Sequence, residues 1–334
     1  MRFASVRHCG GMASGASIAW SWRSATHGVA LSLPAVVACV FDPALGVPLA
    51  VGCLPAAALG LRDSRRERRM VVVIGAVAAV SIFLGSLVAS LPALAVVMVF
   101  ALCVAVAVST ADAAHRLAPL VLMLGLPLYG AGLSESSWTT GLSAALLILA
   151  GSVYGWLISL AWPAGEAIQR PARPAVPRSV MLVYGVQIGV AGAVAAALGF
   201  AFGVDHPGWA CTAALLVSRP DRRQLDARGW GRSVSVVAGA LLACAVALLS
   251  PADAAIAALL LVILAAAAGT SGSRWYIFPF FSTVIVLSML LLDDSETPEH
   301  WLLERAGMTL LGVGLALAAS WLVPAAARQV RARE

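Results

Sequence analysis

The sequence predicts an all-α integral membrane protein, with about twelve transmembrane helices arranged as two parallel six-helix repeats. Three observations carry this reading. Long apolar runs fill the chain, its arginines gather in alternate loops, and the two halves share a layout.

The chain has 334 residues, 61% hydrophobic and 11% charged, with a mean hydropathy of +0.92. A soluble domain carries about 25% charged residues. There is too little polar surface here to cover a globule in water. Every basic side chain is Arg rather than Lys, a bias that fits a high-GC genome. The net charge of +6 does not point to nucleic acid, because the arginines lie in short loops and form no continuous basic face.

The apolar runs are Ser24–Phe41, Ala44–Leu61, Met70–Ser90, Ala93–Thr110, Leu117–Leu133 and Thr139–Trp162 in the first half. In the second they are Val180–Phe202, Pro207–Ser218, Ser233–Leu249, Ala252–Ala268, Tyr276–Leu292 and Trp301–Val323. Most have the roughly 17–25 residues that cross about 30 Å of hydrocarbon. The expected layout is a cytoplasmic tail over 1–23 and a first repeat over 24–163. A Pro/Arg linker over 164–179, a second repeat over 180–324 and a cytoplasmic tail over 325–334 complete it. The linker reads as a semi-rigid spacer. The weak apolar stretch near the N-terminus, followed by Trp20, Trp22 and Arg23, argues against a cleaved signal peptide.

Placing the N-terminus in the cytoplasm and alternating sides puts every Arg but Arg305 inside. Asp42, Glu135, Asp205, Asp253, Asp293, Asp294, Glu296 and Glu299 then fall outside. Shifting the assignment by one helix destroys this asymmetry, so both termini are expected in the cytoplasm. Trp138, Trp162, Trp209, Trp230, Trp275 and Trp301 near run ends suit aromatic anchors at headgroup level. Cys39, Cys53, Cys103, Cys211 and Cys244 lie in apolar runs and read as small buried side chains, and Cys9 lies in the tail.

The repeat rests on spacing. Arg68 to Gly75, Arg232 to Gly239 and Arg305 to Gly312 each place a glycine seven residues after an arginine. Two helical turns put each pair on one face. Counting back from Pro163 and Pro324 pairs Ser159 with Ser320 and Gly151 with Gly312. Six crossings per half give both halves one orientation, with a pseudo-two-fold axis along the membrane normal and a seam between them.

HPGWACTAALLVSRPD (His206 to Asp221), then Arg232 and Gly239, resembles the signature of the fusaric acid resistance protein-like membrane family. YIFPFFSTVIVLSMLLL (Tyr276 to Leu292) and ERAGMTLLGVGLALAASWLVP (Glu304 to Pro324) resemble it as well. The first half is similar mainly in layout. The resemblance implies an integral transporter of a bacterial inner membrane, exporting aromatic carboxylic acids. It is also similar to the plant aluminium-activated malate channels, in which two six-helix units surround an anion path. Two departures stand out. The large soluble domains that often follow each half are replaced by a short linker and tail. The family's Gly-Thr is Ser235-Val236 in one copy and Met308-Thr309 in the other.

No protease, P-loop or nucleophile-elbow motif and no metal-spaced Cys/His cluster occurs. An enzyme is therefore not expected, and neither a cofactor nor a metal. The better clue is interruption. Gly46 to Pro55 is broken by Pro48 and Pro55, and its counterpart Pro207–Ser218 is short. Matching broken segments mark binding sites in transporters, though Pro-kinked packing helices give the same pattern. Trp209 and Thr212 lie on the second of these.

Asp42 and Asp205 precede the two segments, and His206 adjoins the second. They read either as proton-exchange groups or as helix caps, with Asp42-Pro43 fitting a cap directly. Gln187, one turn from Tyr184, faces a polar cavity or bonds a neighbouring helix. Phe281 and Thr283, in a Phe- and hydroxyl-rich stretch, suit an aromatic acid or ordinary packing. Arg219, Arg222, Arg223 and Arg232 line a cytoplasmic basic loop that gathers anions or obeys topology alone. The expected partners are the lipid bilayer and a small organic anion, with a homo-oligomer left open and no nucleic acid. The expected function is proton-coupled efflux of an organic anion, against a passive anion channel or a non-transporting membrane scaffold.

Overall fold

The computed structural model describes residues 18–112, 114–164, 176–273, 275–292 and 296–331. Most of the N-terminal tail with Cys9, most of the linker, Arg274, Asp293 and Asp294 lie outside the described residues. Within them the chain is helical throughout. The helices are α1 (Trp22–Phe41), α2 (Pro43–Leu59), α3 (Arg65–Val88), α4 (Pro92–Ser109), α5 (Ala118–Gly132) and α6 (Trp138–Ser159). After the linker come α7 (Arg178–Phe202), α8 (Gly208–Val217), α9 (Arg222–Leu248), α10 (Asp253–Gly269), α11 (Phe278–Leu291) and α12 (Pro298–Arg331). Seven are long and apolar enough to cross a membrane, while α2, α5, α8, α10 and α11 are shorter apolar helices. The bundle turns large apolar side chains outward, among them Leu33, Val37, Phe41, Val97, Leu146 and Val262. Lipid is the solvent that such a surface requires.

Local chemistry sets the helix ends. Asp42 accepts a hydrogen bond from the Ala44 backbone N–H at 2.9 Å, with Pro43 opening α2. This is the cap reading of Asp42. Asp42→Ala should cost about 1 kcal/mol of stability, measured by thermal unfolding in detergent, whereas Asp42→Asn should cost little. Pro48 and Pro55 do not break α2, which runs unbroken from Pro43 to Leu59. The packed neighbours hold the turns whose backbone bonds proline removes. In α5 the chain widens into a π-turn over Val121–Gly125 just ahead of Pro127, one of the ordinary ways of accommodating proline.

The basic stretch after α8 is not the loop that its composition suggests. Asp221 caps α9 through the Arg223 N–H, and helix runs from Arg222 through the arginines. Arg, Gln, Leu and Ala are good helix formers, so a capped start propagates.

The halves are interleaved rather than side by side. α1 packs along α10, and α4 along α7. α6 packs on α2 and α3, while α12 packs on α7, α8 and α9. α8 also meets α5, and α2 meets α10 and α11. Small residues make these approaches. Gly28 sits against the backbone of Ala265 and Leu264, and Gly185 against Val104. Without a hydrophobic drive in lipid, such close backbone contact is the main source of association.

Candidate functional site

The bundle has a basic end, at Arg62–Arg69 and Arg219–Arg222, and an acidic end, at Asp205 and Glu304. The richest polar cluster lies at the acidic end. α7 stops at Gly203, whose φ of 63° is left-handed, and the chain passes Asp205 and His206 before α8 starts at Gly208. The Gly208 N–H donates to Ser134 Oγ at 3.0 Å. Gly208 also lies so close to the Gly130 carbonyl that a Cβ would not fit. The connection is thereby pressed against α5 and the turn after it.

From the other side α12 presents His300 and Glu304, one turn apart. His300 Nε2 lies 2.7 Å from Asp205 Oδ2. The His206 backbone N–H donates to Glu304 Oε1 at 2.7 Å, and His206 Nδ1 is 3.3 Å from the same oxygen. Glu304 Oε2 stands 3.3 Å from His300 Nε2, but without hydrogen-bond alignment. The Glu304 side chain is only 4% exposed. Aromatic rings wall the cluster: His206 stacks on Trp209 with centroids 4.1 Å apart and meets Trp301 edge-on at 5.2 Å. The Arg305 guanidinium sits 4.5 Å from the Trp209 ring centroid. Glu135, in the turn between α5 and α6, lies within electrostatic reach of His206, and burial holds its carboxyl above the ordinary range.

Asp205, His300 and Glu304 also bring one donor atom each to within 4.8 Å of one another, a set that could hold a cation. Sequence spacing gave no sign of such a set. The Asp205–His300 hydrogen bond and the His206 contacts to Glu304 already account for the arrangement.

The other residues singled out by sequence are dispersed. Thr212 donates to the Pro127 carbonyl at 3.0 Å, bonding α8 to α5. Phe281 is buried among side chains of α2 and α10. Thr283 is fully buried, and its hydroxyl has no hydrogen-bond partner. Gln187 lines a cavity of about 220 Å³ at the basic end, together with Pro220, Arg222, Ser320, Trp321 and Pro324. Asp42, Pro48 and Pro55 lie on α2 and its cap, apart from the acidic-end cluster. The four loop arginines do not act together. Arg222 lies over the Trp321 ring at 3.1 Å, and Arg219 donates to the Ser218 carbonyl. Arg223 has its N–H in the cap, and Arg232 turns into the interior of the bundle at 5% exposure.

Of the sequence candidates, the fold brings together Asp205, His206 and Trp209. The residues that complete the cluster are His300, Glu304, Arg305 and Glu135. One signal marked the three on α12: Arg305 alone broke the charge asymmetry, and His300 and Glu304 stand beside it at the head of an apolar run.

No curated protein and no solved structure matches the chain. Residues 176–319, from just before α7 to well into α12 and including the whole acidic-end connection, match the family model described as Fusaric acid resistance protein-like, the family to which the sequence motifs point.

Proposed function

We propose that the chain is a proton-coupled exporter of an organic anion, an aromatic carboxylic acid, with the acidic end outside and both termini in the cytoplasm. The carrying observation is the Glu304–His206–His300–Asp205 network. It joins the α7–α8 connection to α12 through titratable groups. A buried carboxylate that accepts a backbone N–H is a strong acceptor when charged and a weak one when protonated. Protonating Glu304 from outside would therefore release the α7–α8 connection and open that end. The charged and titratable groups facing it are Asp205, His206, His300, Arg305, Glu135 and Glu296.

We read the architecture as two parallel repeats, 24–163 and 180–324. The supporting pattern is in the packing: α1 on α10 and α7 on α4, α2 on α11 and α8 on α5, α6 on α2 and α12 on α8. Each contact in these pairs becomes the other when every helix is advanced by six.

Reconstituted vesicles test the reading. With an imposed pH gradient, vesicles holding the protein should accumulate benzoate above the level that protein-free vesicles reach by diffusion of the neutral acid, and a protonophore should abolish this excess. Glu304→Gln should reduce uphill accumulation at least tenfold while leaving downhill exchange measurable. Asp205→Asn with His206→Ala should do the same. Flux that only dissipates a gradient would identify a passive channel, and no flux at all a scaffold.

A further inference from the structure

We propose that Arg232 of α9 and Arg305 of α12 form the two halves of one carboxylate-binding site inside the bundle. The inference rests on the transport reading above and names where that anion is held. Three contacts fix the register of these antiparallel helices. Cys244 Sγ meets the Pro298 carbonyl at 3.2 Å, Gly229 faces Val313, and Arg222 covers Trp321. On this register Arg305 faces the level of Val237, about five residues or ~7.5 Å along the axis from Arg232. Two arginine side chains readily span that distance, and the two charges act on each other.

Both side chains are buried, at 5% and 9% exposure, and the Nε of each has no hydrogen-bond partner. Among the described residues no carboxylate forms an ion pair with either. Glu304, adjacent to Arg305, lies within its electrostatic reach but makes no ion pair with it; its Oε1 is held by His206 and its Oε2 turns towards His300. Two further unpartnered hydroxyls lie on α12 itself and on α11, which packs along α9. Thr309, one turn from Arg305, has a buried hydroxyl with no partner. So does Thr283, which packs against Gly239, two turns from Arg232 on the same face. Buried polar groups are almost always satisfied, and buried charges are paired. Two guanidiniums and two unpartnered hydroxyls on neighbouring helices match an oxyanion ligand with two acceptor oxygens, which Arg recognises through paired N–H donors.

The corresponding arginine of the first half sharpens the contrast. Arg68 holds the place of Arg232 in the Arg-to-Gly spacing, yet it is saturated by backbone carbonyls. Ala144 stands where Arg305 does when counted back from Pro163. The cation pair thus belongs to the second half alone.

The test is benzoate binding to the purified full-length chain by isothermal titration, with thermal unfolding as the second readout. Arg232→Gln and Arg305→Gln should each weaken binding at least tenfold, and the double variant should abolish it. A buried charge without an ion-pair partner destabilises. Without benzoate, each Gln variant should therefore melt above the wild type, while benzoate should raise the melting temperature of the wild type only. A purely structural arginine would give the opposite, a lower melting temperature. Unchanged binding in both variants overturns the site, as does a wild type that fails to bind benzoate. Binding lost in the variants but no uphill transport by the wild type keeps the site and overturns the proton coupling.

Discussion

Arg68→Ala should destabilise the protein by about 3–5 kcal/mol, read as a large fall in the detergent melting temperature. The guanidinium is 1% exposed, and its donors are all used. Nε donates to the Arg62 carbonyl at 2.8 Å, Nη1 to Trp162 at 2.8 Å and also to Ser159, and Nη2 to Pro163 at 2.6 Å and Asp63 at 3.3 Å. Ser159 is the last residue of α6 and Trp162 and Pro163 follow just past it, where carbonyls run short of helix donors and the helix dipole favours a cation. One side chain therefore closes α6 and fastens the start of α3 to it. Truncation loses several charge-assisted bonds and leaves the carbonyls buried. Arg68→Lys keeps the charge but offers a compact ammonium in place of a planar fork, so it should recover only part of the loss. If Arg68→Ala melts within a degree or two of the wild type, the closure has no energetic weight.

Gly151→Val should have a comparable effect, at least about 3 kcal/mol, the upper end of the range for overpacking. A Cβ on Gly151 would fall into the peptide of Gly52, and one on Gly52 into the Leu147 carbonyl. α2 and α6 touch backbone to backbone there, with Gly155 against Ala56 a turn further on. A flexible side chain could move aside, but a main chain cannot without shifting the helix. Gly314 is the control. A Cβ there meets nothing within 4 Å, so Gly314→Ala should be neutral or stabilise by up to about 1 kcal/mol through helix propensity. Equal melting temperatures for the two variants would remove close backbone packing as an explanation of the bundle.

Much of the architecture was legible because a membrane segment must satisfy its own backbone. All twelve apolar runs are helices, and the short run Pro207–Ser218 is indeed a short helix. Three features were not legible, each for a physical reason. Proline in α2 looked like a break, but neighbouring helices, which a linear reading does not contain, hold the helix together. The arginines after Asp221 looked like a loop because charge marks the membrane boundary and says nothing about conformation. The acidic-end cluster joins residues almost a hundred positions apart, and only the packing of α12 against α7 and α8 brings them together. Arg305 was visible as an exception to the charge pattern, yet its inward direction depends on Trp209 of another helix.

The interleaving of α1 with α10 and α4 with α7 bears on how such a chain is made. When the first half leaves the ribosome, the face of α1 at Gly28 has no companion until residues 253–269 have been synthesised. For that interval it must rest in lipid or against a chaperone. Cutting the gene at the linker would yield two polypeptides, neither native alone, each supplying the surface that the other needs.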